Sequence, residues 1–167
     1  MTTPERVLLS FPIADHRFNY RVAGIAIRDG HVLVCREDED TYAMLPGGRV
    51  ELGEPSDLAL TREMAEELAM PVEIGRLMLT SESFYEREDQ HFHELGFFYE
   101  IALPEDAAPN GQSPWLSRED EGHMLHFDWV RLDALVQVNL LPTWLQTRLP
   151  QLADGVEHVI YKAAAPR

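Results

Sequence analysis

Cysteine, positive charge and long apolar runs are all scarce in this chain. Cys35 is the single cysteine in 167 residues. No internal disulfide can form, and a reducing, cytoplasmic setting is expected. No apolar run approaches the roughly 20 residues that a membrane-spanning helix needs, so no membrane partner is expected. The opening MTTPERVLLSFP lacks a basic segment followed by a long apolar one, so no signal peptide is read there. Lys and Arg number 14 against 29 Asp and Glu, a net charge of −15. A long nucleic acid needs a basic surface, so that class of partner is not expected either. A small phosphorylated molecule stays compatible if a metal ion offsets the charge locally. The composition, 45% hydrophobic and 26% charged, is that of a globular protein with a substantial core. No internal repeat or strong linker divides the chain, so residues 1–167 are expected to form a single domain.

One stretch organises the rest: GRVELGEPSDLALTREMAEELAM, from Gly48 to Met70. Asp57 to Ala69 contains good helix formers and neither Gly nor Pro. Pro55 and Ser56 suit a helix opening, and Pro71 stops the helix. At about 100° per residue, Glu63, Glu66 and Glu67 share one face. Leu58, Thr61, Met64, Ala65 and Leu68 are expected on the opposite, packed face. Three clustered carboxylates destabilise a bare helix, so a cation is expected beside them. Arg62, at i+4 to Glu66, is one candidate, and a hard divalent ion such as Mg²⁺ or Mn²⁺ is the other.

The spacing carries more than the cluster does. Gly48, Glu54, Arg62-Glu63, the apolar Met64, Glu66-Glu67, Ala69 and Met70 resemble the signature of the Nudix hydrolases. Every charged position is filled, and Ala69 replaces the usual Gly where the helix ends. Leu45-Pro46-Gly47-Gly48 before the helix extends the resemblance, as do Trp129-Val130 and Leu132 to Leu135 after it. The resemblance implies an α/β (α+β) fold, a Nudix-type α/β/α sandwich with a mixed β-sheet between helices. It also implies metal-dependent hydrolysis of a phosphoanhydride bond in a nucleoside diphosphate linked to another moiety, with Mg²⁺ or Mn²⁺ as cofactor. The partner is then a small-molecule nucleotide derivative, and a homodimer stays open.

Along the chain, Val7 to Phe11 is read as a short strand and Asp15 to Arg17 as a loop. Phe18 to Ile27 and His31 to Arg36 form a hairpin about Asp29-Gly30. Gly24 suggests a close backbone approach. Val72 to Ser83 is a strand, Phe84 to Gln90 a charged loop, and His91 to Leu103 a longer strand. Pro104 to Gly122 is a long insertion tethered by Trp115 and Leu116. Leu125 to Leu132 is a strand, Asp133 to Val136 a helical turn, Leu140 to Leu149 a helix and Val156 to Lys162 a last strand. Residues 163–167 are expected to fray. His91, His93 and Glu94 could be metal ligands, the two His falling on one side of their strand, but the further ligands of a Zn²⁺ site are lacking, so substrate contact or a half-exposed strand face is the preferred reading.

Cleaving a pyrophosphate requires neutralised phosphate oxygens and an activated water, and carboxylate-held metal ions serve both needs. By resemblance, the metal ligands are Glu63, Glu66, Glu67 and the main-chain carbonyl of Gly47. The catalytic set is Glu67, Glu66, Arg62 and Glu54, with Arg62 orienting the glutamates. The general base is expected in the box cluster; an acid of a distant loop, where Glu119, Asp120 and Glu121 stand, is the alternative, with Glu121 possible. Arg21, Arg36, Arg49 and Tyr85 are candidate substrate contacts, since guanidinium forks suit phosphate. Two other readings stay open. One is a non-catalytic nucleotide-sensing or protein-binding module on the same fold. The other is an isoprenoid diphosphate isomerase branch using Cys35.

Overall fold

The structure is a computed structural model that describes residues 6–163; the expected fraying beyond Ala163 lies outside the described residues. In chain order it contains β1 (Ser10–Ile13), β2 (His16–Ile25), β3 (Ile27–Arg28), β4 (His31–Glu37), β5 (Gly47–Arg49), α1 (Ser56–Leu68), β6 (Glu73–Arg87), β7 (Gln90–Ala102), β8 (Leu116–Asp120), β9 (His123–Arg131), α2 (Leu145–Arg148) and β10 (Glu157–Lys162). Single 3₁₀ turns cover Glu105–Ala107 and Leu149–Gln151. The class is α+β, with a mixed sheet as expected. Strands run β1-β2-β7-β6-β10, with β5 beside β1 on the outer edge of β2. The pairs β2–β7 and β6–β10 are parallel. A second, antiparallel sheet runs β3-β4-β9-β8. No helix among the described residues is long and apolar enough to cross a membrane.

Alternation along the strands divides the core in two. Val22 of β2 and Leu33 of β4 join Leu60, Met64 and Leu68 of α1 in one cluster. Ala23, Ile25, Val32 and Val34, their neighbours in sequence, join Leu140, Leu145 and Leu149 around α2 in the other. The helical layer over this second cluster is thin. The helix expected over residues 140–149 shrinks to the one turn of α2 plus a 3₁₀ turn, because Pro142 and Pro150 each lack an amide donor.

Several boundaries differ from the expectation. Leu8 makes only an isolated bridge, to Glu51, and the first strand lies later, at β1. His16 and Arg17 belong to β2, because the hairpin turn sits at Ala14-Asp15. The hairpin about Asp29-Gly30 exists, but only Ile27 and Arg28 pair with β4. Upstream of Ala26 the chain has crossed into the other sheet. Gly24 accommodates a side chain rather than a backbone: a Cβ there would lie 2.6 Å from Ile101 Cδ1. The charged segment 84–90 is not a loop. β6 continues to Arg87, and Glu88-Asp89, both at positive φ, turn the chain directly into β7. The insertion after Pro104 is shorter than expected, since β8 pairs with β9 from Leu116 onward. Its tether is as expected: Trp115 N–H donates to Phe127 O, and its ring meets Trp129 edge-on.

In α1 the roles of the opening residues are exchanged. Pro55 occupies the extended cap position and Ser56 lies inside the helix, its hydroxyl 2.6 Å from that of Tyr99. The packed face is Ala59, Leu60, Met64 and Leu68, while Leu58, Thr61 and Ala65 face solvent. The helix axis is thus rotated from the expected one, and the rotation carries Glu67 into the core boundary.

Candidate active site

Arg62 is the hub of the acidic helix. Its Nε and Nη2 each reach one oxygen of Glu54 at 3.0 Å, a bidentate fork, and the Glu51 amide donates to the same carboxylate. Nη1 holds Glu63 Oε1 at 2.8 Å and Glu66 Oε2 at 3.3 Å, and Nη2 also reaches Arg49 O. The Arg62 guanidinium holds the Glu54 carboxyl below its ordinary range, and Glu54 in turn raises Arg62. The loop between β5 and α1 is therefore fastened to the helix by one side chain.

The three box glutamates do not share one environment. Glu66 turns outward to Arg62 and to Arg6. Glu63 is half-buried against Gly48, where a Cβ would come within 2.2 Å of its carboxyl carbon. Burial raises the Glu63 carboxyl although Arg62 opposes the shift. Glu67 is 8% exposed, and its Oε2 has no hydrogen-bond partner. Burial pushes its carboxyl up to about 8; Arg21 and the Gly47 amide oppose the rise, and Glu63 and Asp120 add to it. Gly47 sits at φ +150 with no space for a side chain, since a Cβ would lie 2.1 Å from Val22 O. Its carbonyl accepts a hydrogen bond from Arg21 Nη2 at 3.2 Å. Glu63, Glu67 and the Gly47 carbonyl fit a hard divalent cation: they are oxygen donors, and burying two carboxylates with one oxygen unpartnered leaves charge to be neutralised. Glu66, expected as a ligand beside them, is more exposed and is held by Arg62 and Arg6.

Glu67 lines a cleft of about 810 Å³. Of the expected substrate contacts, Arg21, Arg49 and Tyr85 line it as well. Arg36 does not, because its guanidinium is bound to Val138 O and Asp40 O and braces that loop. Glu121 sits at positive φ in the exposed turn between β8 and β9. Its neighbour Asp120 is the member of that acidic run that acts electrostatically on Glu67. Cys35 lines the cleft, but burial and the nearby Glu67 raise its thiol far above the ordinary range. It is therefore protonated and a poor nucleophile. His93 is spent on aromatic contacts with Phe18 and Phe84. Among the described residues, three His, Cys, Asp or Glu side chains bring ligand atoms within 4.8 Å of one another only at exposed Glu37, Asp38 and His123, outside the box.

Sequence reading missed Arg17, Arg87 and Asn19, which line the cleft, and it weighed Glu94, which lines it too, only beside His91 and His93 as a metal ligand or substrate contact. Arg17 and Arg87 fall in segments read as loops, and the register pairing Asn19 with Glu94 has no local sign in the sequence. Arg87 lies over the Tyr42 ring, 5.8 Å from its centroid. Tyr85 stacks on Phe92 at 4.9 Å.

A family model for the NUDIX domain matches residues 18–153. Among solved structures, the mutator MutT protein from Bacillus halodurans is similar with a TM-score of 0.54 at 16% identity, over 86% of this chain and 90% of that one. A MutT protein from Methanosarcina mazei Go1 gives 0.53 at 17% identity, over 78% and 88%. An ADP-ribose pyrophosphatase from Streptococcus suis 89-1591 gives 0.52 at 13% identity, over 86% and 98%. At these identities the likeness is one of fold. No curated protein matches the sequence significantly.

Proposed function

The chain belongs to the Nudix family and is a Nudix-type hydrolase, and from that premise we propose that it cleaves the phosphoanhydride bond of a nucleoside diphosphate linked to another moiety. The single observation that carries this reading is Glu67, a buried carboxylate with one unpartnered oxygen, on a residue that lines a cleft together with Arg21 and Arg49. We further propose that Mg²⁺ or Mn²⁺ is held by Glu63, Glu67 and the Gly47 carbonyl. When bound, such an ion would neutralise phosphate charge and acidify a coordinated water.

The protein's own groups would do the rest. Arg62 fixes Glu63 through its Nη1 and is itself held by the Glu54 fork, so the carboxylate is oriented before substrate arrives. Arg21 and Arg49 take phosphate oxygens, for which guanidinium geometry is suited. Water oxygen bonds to phosphorus and the bridging P–O bond breaks, giving two phosphate-ended products. The proton of that water passes to a box carboxylate. Glu67 is the best placed, because it lines the cleft. Asp120 and Glu121, at the turn between β8 and β9, are the reserve candidates. The negative charge of the chain supports a small-molecule substrate over a long nucleic acid, and the single Cys35 supports a reducing, cytoplasmic setting.

The test is a panel of ADP-ribose, nucleoside diphosphate sugars, dinucleoside polyphosphates and oxidised nucleoside triphosphates, incubated with Mg²⁺ or with chelator, products being identified by mass. A product formed with Mg²⁺ and abolished by chelator is expected. Glu67→Gln is expected to lower its turnover by ~10²-fold or more while the protein stays folded. Full turnover in that variant would overturn the assignment. Nucleotide binding with no product from any compound would favour the non-catalytic module instead.

A further inference from the structure

The cleft wall formed by β2, β7 and β6 is laid out in rows by strand register. Arg21 pairs with Gly96, Asn19 with Glu94 and Arg17 with Phe92; Tyr85 in turn pairs with Phe92. Side chains on one face repeat every second residue, so Glu94 stands about 7 Å along the strands from the Arg21 row, and Phe92 with Tyr85 about 7 Å further. Arg21 marks the reacting end, through its bond to Gly47 O.

Glu94 is held by a directed chain of hydrogen bonds. Arg17 Nη1 donates to Ser10 Oγ at 3.1 Å, which leaves the Ser10 hydrogen for Asn19 Oδ1 at 2.6 Å. That fixes the Asn19 amide, 4% exposed, with its Nδ2 towards Glu94 Oε2 at 3.4 Å. Tyr85 Oη donates to the same oxygen at 3.2 Å. Among the described residues, nothing donates to Glu94 Oε1 and no cation pairs with the carboxylate. A carboxylate pinned through one oxygen, with the other facing a cleft, repels phosphate and attracts neutral donors. In a nucleotide the sugar follows the phosphate and the base follows the sugar. The row order of guanidinium, carboxylate and aromatic pair matches that sequence.

We propose that Glu94 is the sugar-reading residue of this cleft: its free oxygen accepts the ribose hydroxyls of the nucleoside, and the Phe92–Tyr85 pair receives the base. The inference rests on the nucleotide-cleaving function proposed above. It makes the substrate a ribonucleotide derivative rather than a deoxyribonucleotide one. Asn19 is then a positioning residue, acting through Glu94.

Calorimetric binding in Mg²⁺ tests this without any need for turnover, using ADP, GDP, UDP and CDP, their 2′-deoxy and 3′-deoxy forms, and IDP. Wild-type protein is expected to bind at least one ribonucleotide roughly tenfold or more tightly than its deoxy forms, since a charged hydrogen bond is lost. In Glu94→Ala that ratio is expected to fall to about twofold or less, and Asn19→Ala is expected to lower it in part. If Glu94→Ala does not fold, the near-isosteric Glu94→Gln serves, with a reduced ratio expected because the charge is gone. An unchanged ratio in the Glu94 variants overturns the proposal. So does a preference that follows GDP over IDP instead of ribose over deoxyribose, which would make Glu94 a base reader, and so does failure of every diphosphate to bind. Hydrolysis without a sugar preference would sink this inference and leave the function standing. Glu94-dependent ribonucleotide binding without hydrolysis of any compound would do the reverse.

Discussion

Gly48 and Ala69 bracket the acidic helix, and each makes a prediction that depends on one atom. Gly48 has no Cβ, and Glu63 fills the place where one would be. In Gly48→Ala the methyl group must displace the Glu63 carboxylate from Arg62 Nη1. The expected result is a folded protein with turnover reduced ~10²-fold or more, checked by steady-state kinetics beside circular dichroism. Wild-type turnover would mean that Glu63 is not needed where it stands. Ala69 ends the helix at φ 49 and ψ 36, a left-handed conformation that costs a residue with a Cβ roughly 1 kcal/mol. Ala69→Gly relieves this but loosens the unfolded chain, so a net gain of about 0.5 kcal/mol is expected, read as a higher denaturant midpoint at unchanged activity. The family's usual glycine is thus explained by backbone geometry, and its absence here leaves the carboxylates in place.

At the scale of the element, α1 is held to the β5–α1 loop by the Arg62–Glu54 fork rather than by helix propensity. Lysine at position 62 would keep the charge but lose the two-pronged contact and the reach to Glu63 and Glu66. Arg62→Lys is expected to lower stability by about 1–2 kcal/mol and kcat by at least tenfold, by urea unfolding and kinetics on one preparation. A loss of stability with kcat intact would make Arg62 structural only. This helix was legible in the sequence because its limits and spacing are local: Pro55, Pro71 and the charges at fixed intervals lie within one short run. Its rotation was not. Which of Leu58 and Leu60 is buried depends on where β2, β4 and β9 present Val22, Leu33 and Phe127, and those are distant in sequence. The long β6–β7 hairpin was read as strand, loop and strand because the segment Glu86 to Gln90 is polar. It is a strand end all the same, since its backbone pairs across the hairpin and Arg87 to Gln90 line the cleft. The pairing of Glu94 with Asn19 stayed invisible for a related reason. It comes from a parallel register between strands some 75 residues apart.

At the scale of the whole molecule, the buried acid couples stability to pH and to metal. Glu67 has its folded value pushed up to about 8 from an ordinary 4.5, and Glu63 moves in the same direction. Between those values the folded state binds more protons than the unfolded one, so stability falls as pH rises. The stabilising contribution is complete below about pH 4.5 and is lost on passing through about 8. Glu54 has the opposite sign: its lowered value contributes stability that is lost as pH falls through the acid range. The metal-free protein is therefore expected to be most stable near pH 5 and to lose about 2–4 kcal/mol by pH 8. Net charge, −15 at pH 7, predicts a loss of the same sign through self-repulsion, but surface repulsion is screened by salt and a buried carboxylate is not. Thermal unfolding in chelator at pH 5 to 8, with low and high salt, separates the two. The slope should survive high salt in wild-type protein and flatten in Glu67→Gln. Saturating Mg²⁺ should raise the midpoint more at pH 8 than at pH 6, because only the ionised carboxylate binds the ion. A wild-type slope that high salt abolishes, or that Glu67→Gln retains, would place the charge on the surface and leave the metal without its buried ligand.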